Sequence, residues 1–214
     1  MRHLLQRLPC LLLVAASPAL HGQVGPSAQA PPAFEVTPFI GYRTGGKLEA
    51  AGTGETLRLD DQQSFALALN LRIDEGSQYE LFWGRESTQL DPNPAVGPVD
   101  VKIDYLHIGG TLVVNDEQRW KPYIVGGLGA TRFRPQPAEA RDSTKFSLSI
   151  GGGLRIPVSE RFSVRVEARG FITFVNTDSS FFCTTGALGG ACAVRADGNT
   201  FIQYEALIGG AFAF

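Results

Sequence analysis

The last fourteen residues constrain the fold most. In Phe201–Phe214, Ile202, Tyr204, Ala206, Ile208, Gly210, Phe212 and Phe214 share one face, and Gln203, Glu205, Gly209, Ala211 and Ala213 share the other. A period of two with unlike faces marks a β-strand. Arg161–Val175 repeats it, with Phe162, Val164, Val166, Ala168, Gly170, Ile172 and Phe174 against Ser163, Arg165, Glu167, Arg169 and Thr173. Lys145–Ile156 and Ser64–Ile73 repeat it again. Four weaker segments, Phe34–Arg43, Gln78–Thr88, Val99–Val114 and Lys121–Phe133, bring the total to eight candidate strands. After the N-terminal segment no stretch of twelve residues combines helical periodicity with caps, so no helix is placed there.

The connections alternate in length. Thr44–Gln63, Gln89–Pro98, Arg134–Thr144 and Asn176–Asn199 are long and rich in Gly, Pro, Ser and Asp; Asp74–Ser77, Asn115–Arg119 and Pro157–Glu160 are short. Strands joined this way are antiparallel, and an even number of them puts both ends at the short-turn side. Pro38 cannot donate to a ladder, so a bulge or bend is expected there.

Alternation also suits a soluble sandwich, so the solvent on the apolar face must be argued. Strands of ten or more residues exceed the usual ~5–6 of soluble sheets and match the ~9–11 that cross a bilayer. The polar face carries Gly, Ala and Ser with isolated Arg and Glu, which suits the interior of an eight-stranded barrel better than a wet exterior. Composition agrees. Among 214 residues, 19 are basic and 21 acidic, so a basic face for nucleic acid is missing. Mean hydropathy near zero and the lack of an 18-residue apolar run argue only against helical spans. Glycine, at 25 residues, stands well above the usual ~7 %.

The N-terminus reads as an export signal. Arg2, His3 and Arg7 precede the apolar stretch Leu8–Ala16, the layout of a secretory signal peptide. Cleavage after residue 19, 22 or 30 fits the small residues there, giving an N-terminal segment 1–30 and one domain over 31–214. Cys10 leaves with the signal. Cys183 and Cys192 remain as an even pair in an exported chain, which points to a disulfide. They and their neighbours supply too few ligands for a structural zinc, and no metal or cofactor site is expected.

A C-terminal strand ending on Phe214, with Phe212, Ile208 and Tyr204 on the same face, resembles the assembly signal of bacterial outer-membrane barrels. Thr37-Pro38-Phe39-Ile40-Gly41-Tyr42-Arg43, Asp104-Tyr105-Leu106-His107-Ile108-Gly109-Gly110, Lys121-Pro122-Tyr123 and Arg165-Val166-Glu167-Ala168-Arg169 complete the resemblance to small eight-stranded, OmpA-like outer-membrane β-barrel families. It implies an all-β, antiparallel, up-and-down transmembrane barrel with short periplasmic turns and long extracellular loops, in the outer membrane of a Gram-negative bacterium. Implied partners are outer-membrane lipid and lipopolysaccharide, the barrel assembly machinery, periplasmic chaperones, and a host or envelope surface ligand. Larger members carry a peptidoglycan-binding domain; the chain stops at Phe214, so that role is not carried over.

Alternation points Glu35, Arg43, Arg72, Glu80, Glu86, Lys145, Arg155, Arg165, Glu167, Arg169 and Glu205 into the lumen. They make a polar conduit, a ligand site or a plug of ion pairs; the plug is favoured, because small barrels are filled by side chains and unpaired buried charge is costly. His107 has no Ser or Asp within two residues on its own strand face, which leaves a serine from a neighbouring strand as the open alternative; no catalytic site is assigned, and a lipid-modifying enzyme ranks behind a structural or surface-interaction protein and a narrow channel. Phe34, Tyr42, Tyr79, Trp83, Trp120, Tyr123, Phe133, Phe162, Phe174, Phe212 and Phe214 lie near strand ends, where interfacial girdles form.

Overall fold

The computed structural model describes residues 33–214 apart from 51–55, 94–96, 116–118, 137–141, 176–179, 187–188 and 197–198. Candidate cleavage points and Cys10 lie outside these residues. The strands are β1 (Phe34–Gly45), β2 (Lys47–Ala50), β3 (Thr56–Arg58), β4 (Gln62–Arg72), β5 (Ser77–Asn93), β6 (Gly97–Val113), β7 (Lys121–Gln136), β8 (Ser143–Pro157), β9 (Phe162–Phe174), β10 (Ser180–Gly186), β11 (Gly189–Ala196) and β12 (Thr200–Ala213). No helix occurs among the described residues.

Eight of the strands close into an antiparallel barrel in the order β1-β12-β9-β8-β7-β6-β5-β4. Each of the eight expected segments is one barrel strand. Closure follows from the pairing of β1 with β12, from Glu35 opposite Ala213 to Gly45 opposite Gln203. In hydrocarbon each backbone N–H and C=O must pair internally, and a closed sheet does this without an edge. The turn end of the barrel holds the short connections; the loop end holds the others.

Alternation partitions the side chains. Phe34, Ile40, Phe65, Tyr79, Ile108 and Ile150 stand outward, each at least 60 % exposed. A soluble protein rarely leaves so continuous an apolar surface bare. Tyr42, Trp83, Trp120, Phe174, Phe212 and Phe214 are also exposed, as interfacial aromatics require. Two expected girdle residues are not there: Tyr123 and Phe133 are buried, because they share strand parity with the lumen-facing Val125 and Thr131.

The structure departs from expectation in two further places. Pro38 causes no bulge. Val36 pairs with Phe212 and Phe39 with Gly209 in one unbroken register, and the ladder to β12 merely omits Thr37 and Pro38 while the ladder to β4 continues through both. The missing N–H thus costs pairing on one side only. Segments read as long loops also carry strands. Gln89–Pro98 is largely the continuation of β5 and β6, with Leu90 opposite Val99. From Thr44–Gln63 and Asn176–Asn199 come β2, β3, β10 and β11, a second sheet in the order β10-β11-β2-β3. The chain turns from β1 into β2 through Gly45 and Gly46, with φ of 92° and 93°, values that side-chain-bearing residues rarely adopt. The strand that returns is tied down: Leu59 N–H donates to Gly46 O at 3.2 Å, Asp60 N–H to Gln89 O at 3.0 Å, and Thr88 Oγ1 to Asp60 O at 2.6 Å.

Candidate functional site

The barrel interior is built in layers from positions two residues apart on neighbouring strands. Nearest the turn end, Arg165 on β9 is fully buried. Its Nη2 lies 3.2 Å from Glu80 Oε2 of β5 and 3.0 Å from Glu167 Oε2, and its Nη1 lies 3.5 Å from Glu35 Oε1 of β1. Its Nε donates to Tyr123 Oη at 3.2 Å and its Nη1 to Asn70 Oδ1 at 3.1 Å. Arg169, two inward positions along and past Glu167, binds the same two carboxylates, at 2.7 Å from Glu80 Oε1 and 2.6 Å from Glu167 Oε1. Its guanidinium carbon sits 3.9 Å from the Phe82 ring centroid.

A second ion cluster stands nearer the loop end. Arg43 Nη2 donates to Glu205 Oε1 at 2.8 Å across the β1–β12 seam, and its Nε is 3.3 Å from Glu86 Oε2. Gln203 Nε2 donates to Glu86 Oε1 at 2.9 Å, and Tyr105 Oη donates to Gln203 Oε1 at 2.8 Å. Arginines Arg43, Arg155, Arg165 and Arg169 thus face glutamates Glu35, Glu80, Glu86, Glu167 and Glu205. The surplus carboxylate charge is met by neutral donors, Tyr123, Asn70 and Gln203. Such hydrogen bonds offset the desolvation of a buried ion pair.

Between the clusters lies an aromatic layer. Tyr105 stacks on Phe171 with centroids 4.2 Å apart, and Phe82 lies 6.0 Å from Phe171. Beyond the Arg43 cluster, Val101, Ile103, Phe133, Val175, Phe201 and Leu59 close the loop end with apolar surface. The lumen is therefore charged and apolar in alternation, not charged throughout.

Of the other inward residues named from sequence, Arg155 Nη2 donates to Glu35 Oε1 at 2.8 Å. Arg72 instead lines a cavity of about 180 Å³ at the turn end, with Glu35, Lys121, Arg155 and Gln78. Lys145 is half-buried. Tyr204, Ile208, Phe212 and Phe214 form one outward row, each at least 47 % exposed. Cys183 and Cys192 are register partners on β10 and β11.

For His107 the sequence leaves a serine of a neighbouring strand open but does not indicate Ser147 and Ser149 of the next strand but one. The ring is 1 % exposed, with Nδ1 2.9 Å from Ser149 Oγ and Nε2 2.7 Å from Ser147 Oγ. Both serines lie two strands away, on β8. The parity of β6 and β8 carried the signal, together with the glycines of β7 between them. Among the described residues both imidazole nitrogens meet serine hydroxyls rather than a carboxylate, and the ring lies against Tyr105 and Phe171 inside the aromatic layer.

An apolar outer wall around a closed eight-stranded sheet with a polar, ion-paired interior defines an integral outer-membrane barrel. Residues 10–194 match the family model described as outer membrane protein beta-barrel domain, and the chain belongs to that family and resides in the outer membrane. Among solved structures it is similar to Neisserial surface protein A, at 15 % identity and a TM-score of 0.57 over 85 % of this chain and 97 % of that one. It is also similar to OprG from Pseudomonas aeruginosa, at 11 % identity and a TM-score of 0.54 over 86 % and 96 %. At such identities the likeness is one of fold. No curated protein matches the chain.

Proposed function

We propose that this barrel is a non-conducting, non-enzymatic scaffold whose role is exercised at its surface, through the segments beyond the loop end. Short turns then face the periplasm and the second sheet faces the outside. The observation that supports this is the filled lumen: the side chains of Arg43, Arg165 and Arg169 are at most 1 % exposed and tie β1 to β12 and β5 to β9 through the interior. A pore would need those contacts broken. A host or envelope ligand for the outer sheet, and assembly by the barrel machinery with periplasmic chaperones through the Tyr204–Phe214 row, belong to the same reading. So does a Cys183–Cys192 disulfide, for which the register on β10 and β11 is the support.

A narrow channel or carrier is the second reading, and the turn-end cavity favours it. That cavity is stopped by the Arg155–Glu35 pair at 2.8 Å. Solute efflux separates the two. Proteoliposomes loaded with amino acids and small sugars should leak no faster than empty liposomes; saturable, protein-dependent efflux would replace the scaffold with a carrier.

A further inference from the structure

The outer wall is apolar almost everywhere, and its exceptions are concentrated. Among the described residues of the barrel strands, outward-facing charged side chains occur only on β5, β6 and β7, and only toward the loop end: Arg85, Asp100, Lys102, Asp104, Arg132 and Arg134. The outward positions of β1, β4, β8, β9 and β12 carry none, from Thr44 and Tyr42 round to Phe174 and Tyr204. An even spread of charge would suit a rim that merely touches water. Charge confined to three adjacent strands calls for a separate cause.

The register makes it a compact patch. Arg85, Asp104 and Arg132 lie side by side across the three strands, and Lys102 lies beside Arg134 in the next outward row. The row just below is Trp83, Leu106 and Ala130, continued by Phe146 on β8. Outward rows are about 7 Å apart along a strand, and a lipid-facing tryptophan marks the boundary between acyl chains and headgroups. The cations therefore stand at headgroup height. Arg85 is packed over Trp83, its guanidinium 5.1 Å from the ring centroid.

The patch sets four cations against three acids, Asp100, Asp104 and Asp142, and is cationic by one net charge. Asp104 is shared: Arg85 Nε donates to Oδ1 at 2.6 Å, and Arg134 Nη2 donates to Oδ2. Asp142 takes Arg132, through Nη2 at 2.6 Å and Nε at 3.1 Å. Asp100 accepts from Gln89, and Lys102 makes no ion pair among the described residues. The Arg85 and Arg132 side chains remain 44 % and 54 % exposed. Guanidinium forks with free N–H groups and a nearby ammonium match phosphate oxygens.

We infer that this face of β5–β7 is a binding site for the phosphorylated glycolipid of the outer leaflet, with Lys102, Arg132, Arg134 and Arg85 on its phosphates and Trp83, Leu106 and Phe146 against its acyl chains. The inference rests on the outer-membrane location and on the loop end facing out, and is independent of whether the lumen conducts.

The probes are diphosphoryl lipid A, its dephosphorylated form and inorganic phosphate, added to the folded full-length protein in neutral detergent. The readouts are native mass spectrometry and the temperature at which the compact gel form is lost, which rises when a ligand binds only the folded state. Diphosphoryl lipid A should bind and raise that temperature. Loss of its phosphates should weaken binding at least about tenfold, the scale of one charge-assisted hydrogen bond. The variant Lys102→Gln/Arg132→Gln/Arg134→Gln should weaken it as much, and Arg72→Gln/Lys121→Gln at the turn end should not. Equal affinity for the dephosphorylated lipid would overturn the inference without any variant being needed. So would an unaffected triple variant, or equal stabilisation by inorganic phosphate, which would make the patch a simple anion site.

Discussion

His107 on β6 hydrogen-bonds Ser147 on β8 at 2.7 Å although β7 runs between them. Gly129 of β7 is the register partner of both. A Cβ at Gly129 would meet His107 Cδ2 at 2.7 Å and Cα at 2.8 Å, and the carbonyl of Leu106 closer still. The missing side chain is the space through which the imidazole reaches the next strand but one.

Gly129→Ala should therefore push His107 off both serines and strain the β6–β7 ladder, costing about 1–3 kcal/mol, as overpacking does. Gly126→Ala on the same strand is the control. Its Cβ would meet nothing closer than Ser149 O at 3.5 Å, and its effect should stay within about 0.5 kcal/mol. Urea unfolding in lipid vesicles, followed by gel mobility, measures both; equal losses would remove the steric account.

Arg43 is held by Glu205 and Glu86. Arg43→Ala leaves both carboxylates buried without their cation and should cost about 3–5 kcal/mol. Adding Glu205→Gln should recover part of that loss, because residues in one ion network are not additive. The same unfolding assay reads the coupling, and strict additivity would mean that the pair is not formed.

The Cys183–Cys192 disulfide proposed for the outer sheet closes a short loop and should contribute about 2–3 kcal/mol on the chain-entropy model. Alkylation of the unreduced, denatured mature protein should add no label, and alkylation after reduction should add two labels per chain. Two labels without reduction would refute the bridge.

Asp74 opens the turn between β4 and β5. Its Oδ1 accepts from Gly76 N–H at 2.8 Å and Ser77 N–H at 2.7 Å, and these bonds hold its carboxyl below the usual carboxylate range. A depressed value means that the ionised form supports the turn. Its contribution is complete above the ordinary carboxylate range and fades as pH falls through the lowered value. An NMR titration in micelles should show the Asp74 midpoint below that of an aspartate in an unstructured peptide; a midpoint at the peptide value would mean the turn bonds do not favour the anion.

Most of this architecture is legible in the sequence, because a period of two is set by backbone geometry alone. Glu80 and Glu86 on β5, or Arg165 and Arg169 on β9, fall on the inward face by counting. What counting hides is whatever depends on the neighbour across the strand. Tyr123 and Phe133 look like girdle aromatics until parity within β7 is fixed by its partners. The serines of His107 lie 40 and 42 residues away in the chain. Segments such as Gln89–Pro98, rich in turn-forming residues, are strands because β5 and β6 keep pairing beyond the lipid. Pro38 stays in register because one strand face can lose a donor while the other holds.

The most direct measurement is electrical. The purified barrel, shown to be folded by its heat-dependent mobility, is inserted into planar lipid bilayers under applied voltage. A lumen closed by the Arg43, Arg165 and Arg169 ion pairs and by the aromatic layer between them predicts a flat current trace. Uniform, reproducible single-channel steps from the wild-type protein would contradict it.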